Sequence, residues 1–472
     1  MHNLSAMAIV KAIESRELTC LEVTTHFLNR IEEHNKKLNA LVEVYAREAV
    51  VQSKKIDSLT SNSSATLSGV PITIKEAFNI KNKRTTLNFG SLKNNIATEN
   101  AQVVDQLIAA GAILMGKTNV PTMLADSQTN GPIYGRSNNP YNLEHSPGGS
   151  TGGGAAAVAA GLSAIEIGSD IAGSIRLPAH FCGLYALKPT EKVFSNKGHV
   201  PPLPNAQGGV MHMASVGILT KCIDDLSMVF KVLSTNEKNY SRAPIDWTFV
   251  KHKQLADAKI AWSKQFDLLG VTTEYQTKIE GFIKKISSST LKIDEYTIPL
   301  NYKKTWRLMG ELYGFLVGQD AVWLERMILK LKFSKDKGEL AKGIKKGLKL
   351  DFKYYARCLK QKEELVDQIQ SFFEDYDFFI CPVASCAAFE HRPSLKPIYI
   401  NGKSTSYLQA SFGFTSVFNL SGHPSIVIPI GLQENGLPLG IQIVGPLWSD
   451  TSLLRVAKEI AALTNGFIPP EL

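Results

Sequence analysis

The sequence predicts an α/β fold, and three observations carry that prediction. Residues 101–116 read in immediate succession as a helix, a glycine stop at Gly111 and a short strand, the alternation from which α/β units are built. Apolar, β-branched runs at 67–74, 375–383 and 423–431 have the length and composition of buried strands. Elsewhere apolar residues recur at three and four positions, the period of helices that lay one face on a larger body.

Between Ser5 and Leu59 the helical stripe runs through Met7, Ile9 and Val10, then Leu21, Val23, Phe27, Leu28 and Ile31. Thr19 followed by Glu22 fits a capping box at the start of the second helix, and no chemistry is assigned to this region. A polar break, T-S-N-S-S-A-T at 60–66, precedes V-P-I-T-I-K, a strand that delivers Lys75 at its end. A lone lysine is ordinarily a solvated surface residue. Here the apolar strand before it, with Ala77 and Phe78 after it, argues for enclosure. Burial lowers a lysine's pKa toward the neutral amine, the only form that accepts a proton. Further on come a small-residue helix from Ala155 to Ala160 and a glycine-and-serine turn from Gly168 to Ser174. Buried strands at 375–383 and 423–431, a turn plus strand at 435–445 and a helix from Ser452 to Leu463 with an apolar face close the chain.

With 472 residues, 44% hydrophobic and 20% charged, the chain has ample material for a core, as one large domain or as two or three. A net charge of +9, with lysine spread along the surface and concentrated in one stretch, gives no signal for nucleic acid, and none is expected as a partner. The six cysteines, Cys20, Cys182, Cys222, Cys358, Cys381 and Cys386, are dispersed without C-x-x-C spacing or nearby histidine pairs, so neither a zinc site nor a disulfide framework is expected. The N-terminus lacks the pattern of a secretory signal, and no apolar run reaches the roughly 18 residues of a membrane span. A reducing, cytoplasmic location is the expectation.

The stretch around Ser150 is what the rest of the chain serves. Gly148, Gly149, Gly152, Gly153 and Gly154 can take positive φ and expose several amides together, which is how a protein builds an anion or oxyanion site. A flexible linker is the plain alternative, but linkers are not followed by an Ala and Val run that wants a packed helix. A phosphate loop fails because no Lys-Ser or Lys-Thr pair closes the glycine run.

The segments H-S-P-G-G-S-T-G-G-G at 145–154 and G-S-D-I-A-G-S-I-R at 168–176 resemble the signature region of the amidase signature family of serine hydrolases. L-S-G-V-P-I-T-I-K-E-A-F at 67–78 resembles that family's strand ending in the catalytic lysine. The motifs agree in order and spacing, and the likeness runs from the N-terminal helices to the C-terminus, with 230–370 diverging. It implies a single large domain over 1–472, a twisted mixed sheet wrapped by helices. Its parts are N-terminal helices (1–60), a signature core (67–220), a divergent, helical, Lys-rich insert (230–370) and C-terminal strands and helix (375–472).

The resemblance also implies a Ser-Ser-Lys triad. Lys75 maps onto the general base, Ser150 onto the bridging serine and Ser174 onto the nucleophile, whose acyl-enzyme would hydrolyse a carboxamide or N-acyl amide without metal or organic cofactor. The backbone amides of Ile171, Ala172, Gly173 and Ser174 map onto the oxyanion hole. Two departures stand out: Ala172 where the family commonly has glycine, and Thr151 where it commonly has serine. Alanine keeps the N–H while narrowing the allowed φ, and threonine keeps a hydroxyl. Asp170 and Arg176 are read as structural support, because arginine does not deprotonate in proteins. His180, His199 and His212 invite a Ser-His-Asp reading, but no G-x-S-x-G elbow accompanies them. The turn-rich segment 117–140 resembles the family's substrate-channel loop, which makes Met123 and Leu124 candidates for pocket wall, ordinary core packing being the alternative.

In the stretch 301–365, Trp306, Tyr313, Phe315 and Trp323 mix with lysines from Lys330 to Lys349. A basic amphipathic helix there would face solvent, cover the mouth of the site or lie on anionic membrane; membrane contact is not the expectation. The partner implied is a small-molecule amide, fatty, aryl or short aliphatic. Two other functions share the fold: the A subunit of a glutamyl- or aspartyl-tRNA amidotransferase, in which glutamine typically follows the motif's arginine where Leu177 follows Arg176 here, and a catalytically silent scaffold, which would have lost triad residues. Monomer and homodimer stay open.

Overall fold

Apolar runs become strands where both faces can be buried, and the chain has many such places. In the computed structural model, which describes residues 1–58, 65–201, 212–235, 253–319, 321–349 and 351–472, the strands are β1 (Leu41–Val44), β2 (Pro71–Lys75), β3 (Ile113–Thr118), β4 (Ile165–Asp170), β5 (Tyr185–Lys188), β6 (Ser215–Thr220), β7 (Lys259–Trp262), β8 (Lys292–Glu295), β9 (Phe378–Pro382), β10 (Ile398–Ile400), β11 (Lys403–Thr405), β12 (Ser425–Leu432) and β13 (Pro438–Val444). All but β10 and β11, which pair with each other, join one mixed eleven-stranded sheet in the order β1-β3-β2-β4-β6-β5-β12-β13-β9-β7-β8. The result is a single-domain α/β fold with helices around a large mixed sheet. β2 through β6 are buried along their whole length, and β4 carries Glu166, Ser169 and Asp170 into that interior.

One pairing positions the site. β2 runs parallel to β4, with Ile72 opposite Ile165 and Ile74 opposite Ile167. Parallel strands end on the same edge, so Lys75 at the end of β2 meets Ser169 and the turn that follows β4.

The helices follow their caps. Thr19 accepts from Glu22 N–H at 3.1 Å while the Glu22 carboxylate accepts from Thr19 N–H at 2.8 Å, the reciprocal box anticipated for Cys20–Leu38. Gly111 takes a φ of +88° just beyond the Gln102–Ala109 helix.

Several sequence expectations are corrected. The N-terminal region is not all helix: β1 lies between the helices Cys20–Leu38 and Ala46–Asp57, paired to β3. Gly168 and Ser169 belong to β4 rather than to a turn. The insert at 230–370 is not wholly helical, since it supplies β7 and β8 to the sheet. Residues 60–64 of the polar break lie outside the described residues.

Among the described residues no helix is long and apolar enough to cross a membrane, and all six cysteines are free.

Candidate active site

Lys75 is fully buried, and its Nζ lies 2.8 Å from Ser150 Oγ, 3.1 Å from Ser169 Oγ and 3.1 Å from the Ser169 carbonyl oxygen. Burial pushes its pKa down to about 7, against the partial opposition of the Asp170 and Glu166 carboxyls. Glu166, also fully buried, is pushed up to about 7 by the same desolvation, though Thr118 donates to it at 2.6 Å. The neutral amine is therefore accessible near neutral pH.

Ser150 lies within the glycine run, two residues before the first residue of the Gly152–Ala159 helix. Only Gly148 of the five glycines takes a positive φ, +86°. Gly152 to Gly154 are helical and small for another reason: a Cβ on Gly154 would lie 2.3 Å from the Glu166 carboxyl carbon. They let the helix seat directly on the strand edges, so the expectation of a positive-φ nest across the run gives way to close packing.

Ser174 sits on the turn after β4, almost fully buried, with its carbonyl accepting from Thr151 N–H at 3.0 Å. Among the described residues no hydrogen bond joins the Ser150 and Ser174 hydroxyls; catalytic contacts of this kind commonly tighten when substrate binds. The turn is held by Asp170. Its carboxylate accepts from Gly173 N–H at 2.7 Å and Ile175 N–H at 3.1 Å, and forms a fully buried ion pair with Arg176 at 3.1 Å. Burial alone would push Asp170 up, but the guanidinium holds its carboxyl well below the usual carboxylate range. Arg176 in turn donates to Gln442 at 3.0 Å and to Asn419.

Since Gly173 N–H is spent on Asp170, the assignment of four oxyanion donors needs correction. The amides of Ile171, Ala172 and Ser174 have no hydrogen-bond partner among the described residues. Ala172 takes an ordinary negative φ, so its methyl costs the turn nothing, whereas Gly173 sits at +134° and a Cβ there would lie 2.2 Å from Thr415 Oγ1.

Ile171, Ala172 and Ser174 open onto a largely apolar cavity. Leu124 lines it, while Met123 packs against the small cluster of Ala77, Leu87 and Val200. The other apolar walls come from the insert and the C-terminal region: Met309, Tyr313, Phe333, Leu340, Ile344 and Phe412. The helices Tyr302–Gly318 and Glu339–Gly347 thus form the cover of the site, one of the roles weighed for the Lys-rich stretch. The Trp323–Phe333 helix between them turns Trp323, Leu324, Met327, Ile328 and Leu331 outward, so its outer face is apolar rather than charged.

None of the three histidines touches Ser174 among the described residues. His180 lies between the Gly440 and Cys386 backbones, His212 contacts Tyr355, and His199 contacts Ser169. Among the described residues no group of three or more His, Cys, Asp or Glu is arranged to hold a metal ion. Sequence reasoning missed Ser169, Glu166 and Asp126, weighed His199 only as a triad member, and named Tyr313 without placing it on the wall of the site. For Ser169 and Glu166 the signal was there, alternation along a strand beside Lys75; the others come from distant segments with no pattern linking them.

A large mixed sheet, with a buried lysine on a serine beside a glycine-rich turn that ends in a second serine, defines the amidase signature class of serine hydrolases. The family model described as Amidase matches residues 22–454, and the chain belongs to that family. It is 30% identical over 488 residues to the A subunit of the glutamyl-tRNA(Gln) amidotransferase of Exiguobacterium sibiricum, covering 98% of this chain and 97% of that one. It is 28% identical over 517 residues to human fatty-acid amide hydrolase 2, covering 99% and 90%. Among solved structures, a fatty acid amide hydrolase superposes with a TM-score of 0.83 at 24% identity, over 99% of this chain and 86% of that one, a likeness of fold.

Proposed function

We propose that this protein hydrolyses amides with an apolar acyl group, through an acyl-enzyme on Ser174. The observation that carries the reading is Lys75 Nζ, buried and pushed toward its neutral form, 2.8 Å from Ser150 Oγ, with Ser174 on the wall of the cavity. Ser174 Oγ attacks the carbonyl carbon as its proton passes to Ser150 Oγ, whose own proton moves to Lys75 Nζ. The oxyanion is received by the amides of Ile171, Ala172 and Ser174. As the tetrahedral adduct collapses, the C–N bond breaks and the leaving nitrogen takes the proton back through Ser150. Water, deprotonated by the same relay, then releases the carboxylate and regenerates Ser174.

The walls support an apolar acyl group. Among the described lining residues Asp126 is the one ionisable carboxyl and there is no lysine or arginine; Asp126 accepts from Tyr407 at 2.5 Å and is raised by burial. Relatives named as amidotransferase A subunits favour a second reading, in which glutamine supplies ammonia in a complex with partner subunits. A glutamine brings an α-ammonium that the Asp126 carboxyl would pair, but also an α-carboxylate that meets no lysine or arginine among the described lining residues. A panel of long-chain, aryl and short aliphatic amides and glutamine, each run with wild type and Ser174→Ala, tests the choice. The long-chain amides should show the highest kcat/KM, abolished in the variant. Turnover of glutamine alone would overturn the apolar assignment.

A further inference from the structure

We propose that His199 is a positioning residue that keeps the lone pair of Lys75 aimed at Ser150, by fixing the direction of the Ser169 hydroxyl. This rests on the reading of Lys75 as the base.

The available hydrogens fix the direction of each bond around Lys75. His199 Nδ1 lies 3.2 Å from the carbonyl oxygen of Pro201, which only accepts, so Nδ1 carries the hydrogen. Nε2 of the neutral ring is then an acceptor, and it lies 2.8 Å from Ser169 Oγ, so the Ser169 hydroxyl donates to it. With its one hydrogen committed, Ser169 Oγ is an acceptor toward Lys75 Nζ at 3.1 Å. The Ser169 carbonyl, also 3.1 Å from Nζ, accepts a second hydrogen. A neutral amine has two hydrogens and one lone pair. Both hydrogens are now used, and the lone pair is left for the remaining neighbour, Ser150 Oγ at 2.8 Å, which must donate. That is the direction in which the proton has to travel.

Without the imidazole, the Ser169 hydroxyl is free to turn and donate to the lone pair instead. The base would then be occupied by the wrong hydroxyl, though every other contact survived. The ring is held firmly enough for this task. His199 N–H donates to Asn196, Val200 N–H to Ala77 at 2.7 Å and Asn79 N–H to Gly198 at 2.9 Å, binding the loop to the segment just beyond Lys75. Phe78 meets the ring edge-on with centroids 4.9 Å apart. Burial, with the nearby Lys75 charge, holds the imidazole down to about 4, so it stays neutral where the enzyme would work.

The test compares kcat/KM on one amide for wild type, His199→Leu, His199→Gln and the double variant His199→Leu with Ser169→Ala, each checked by thermal melting. His199→Leu should fall roughly 10- to 100-fold, a share of the about 10²–10⁴ that a positioned base contributes. Glutamine, whose side-chain carbonyl accepts from Ser169, should restore most of it. The double variant should exceed the single one, because the competing hydroxyl is gone; a merely structural role for His199 predicts no such recovery. Unchanged activity in His199→Leu, or no gain in the double variant, would overturn the inference. A measurement on the unmutated protein guards against variants that do not fold: ¹⁵N NMR of the histidines should show His199 with Nδ1 protonated and Nε2 bare, and the opposite tautomer would refute it. Absence of Ser174-dependent turnover in wild type would instead sink the reading of the whole site.

Discussion

At the scale of single residues, the site depends on a lysine that has lost the usual reason to be charged. Desolvation lowers Lys75 to about 7, while Asp170 and Glu166 pull the other way. The sign for activity follows: below that value the ammonium has no lone pair, so kcat/KM should fall about tenfold per pH unit on the acid side and level off above. Glu166→Gln keeps an acceptor for Thr118 but removes a carboxyl that favours the charged lysine, so the acid limb should move to lower pH. A profile flat down to pH 5, or a limb that moves to higher pH in Glu166→Gln, would contradict a lysine base.

At the scale of elements, the cover over the cavity is a pair of helices in backbone contact. A Cβ on Gly310 would lie 2.2 Å from the Leu340 carbonyl oxygen, and one on Gly343 the same distance from that of Arg307. Glycine is required there because the helices approach to the distance of their own main chains. Trp306 Nε1 donates to the Gly413 carbonyl at 2.8 Å and ties the first of them to the loop after Phe412. Gly343→Leu should therefore separate Met309 and Tyr313 from Leu340 and Ile344. The expected outcome is a loss of about 1–3 kcal/mol of stability in denaturant titration, as for other overpacked interiors. Turnover of long-chain amides should drop more than that of short ones. Equal losses on both would show that the cover does not form the acyl wall.

At the scale of the whole molecule, the sequence disclosed some things and hid others for physical reasons. β2 and the C-terminal strands β9, β12 and β13 were legible because buried strands must be apolar on both faces. β1 was hidden because L-V-E-V is short and lies between two strong helices, and β7 and β8 because their neighbours are rich in lysine. Ser150 stood out through the glycines around it and Lys75 through the apolar strand before it, while Ser174 was marked by the resemblance of its motif. His199 and the walls from Met309 to Phe412 were not, since nothing local marks a side chain whose partner is far away along the chain. Only the parallel pairing of β2 with β4 and the folding back of the insert bring them together.

The most direct measurement is covalent. Incubation with a fluorophosphonate, followed by peptide mapping, should place one phosphonyl group on Ser174, with labelling lost in Lys75→Met and in Ser174→Ala. A label on any other serine, or undiminished labelling of Ser174 once Lys75 is gone, would contradict the account.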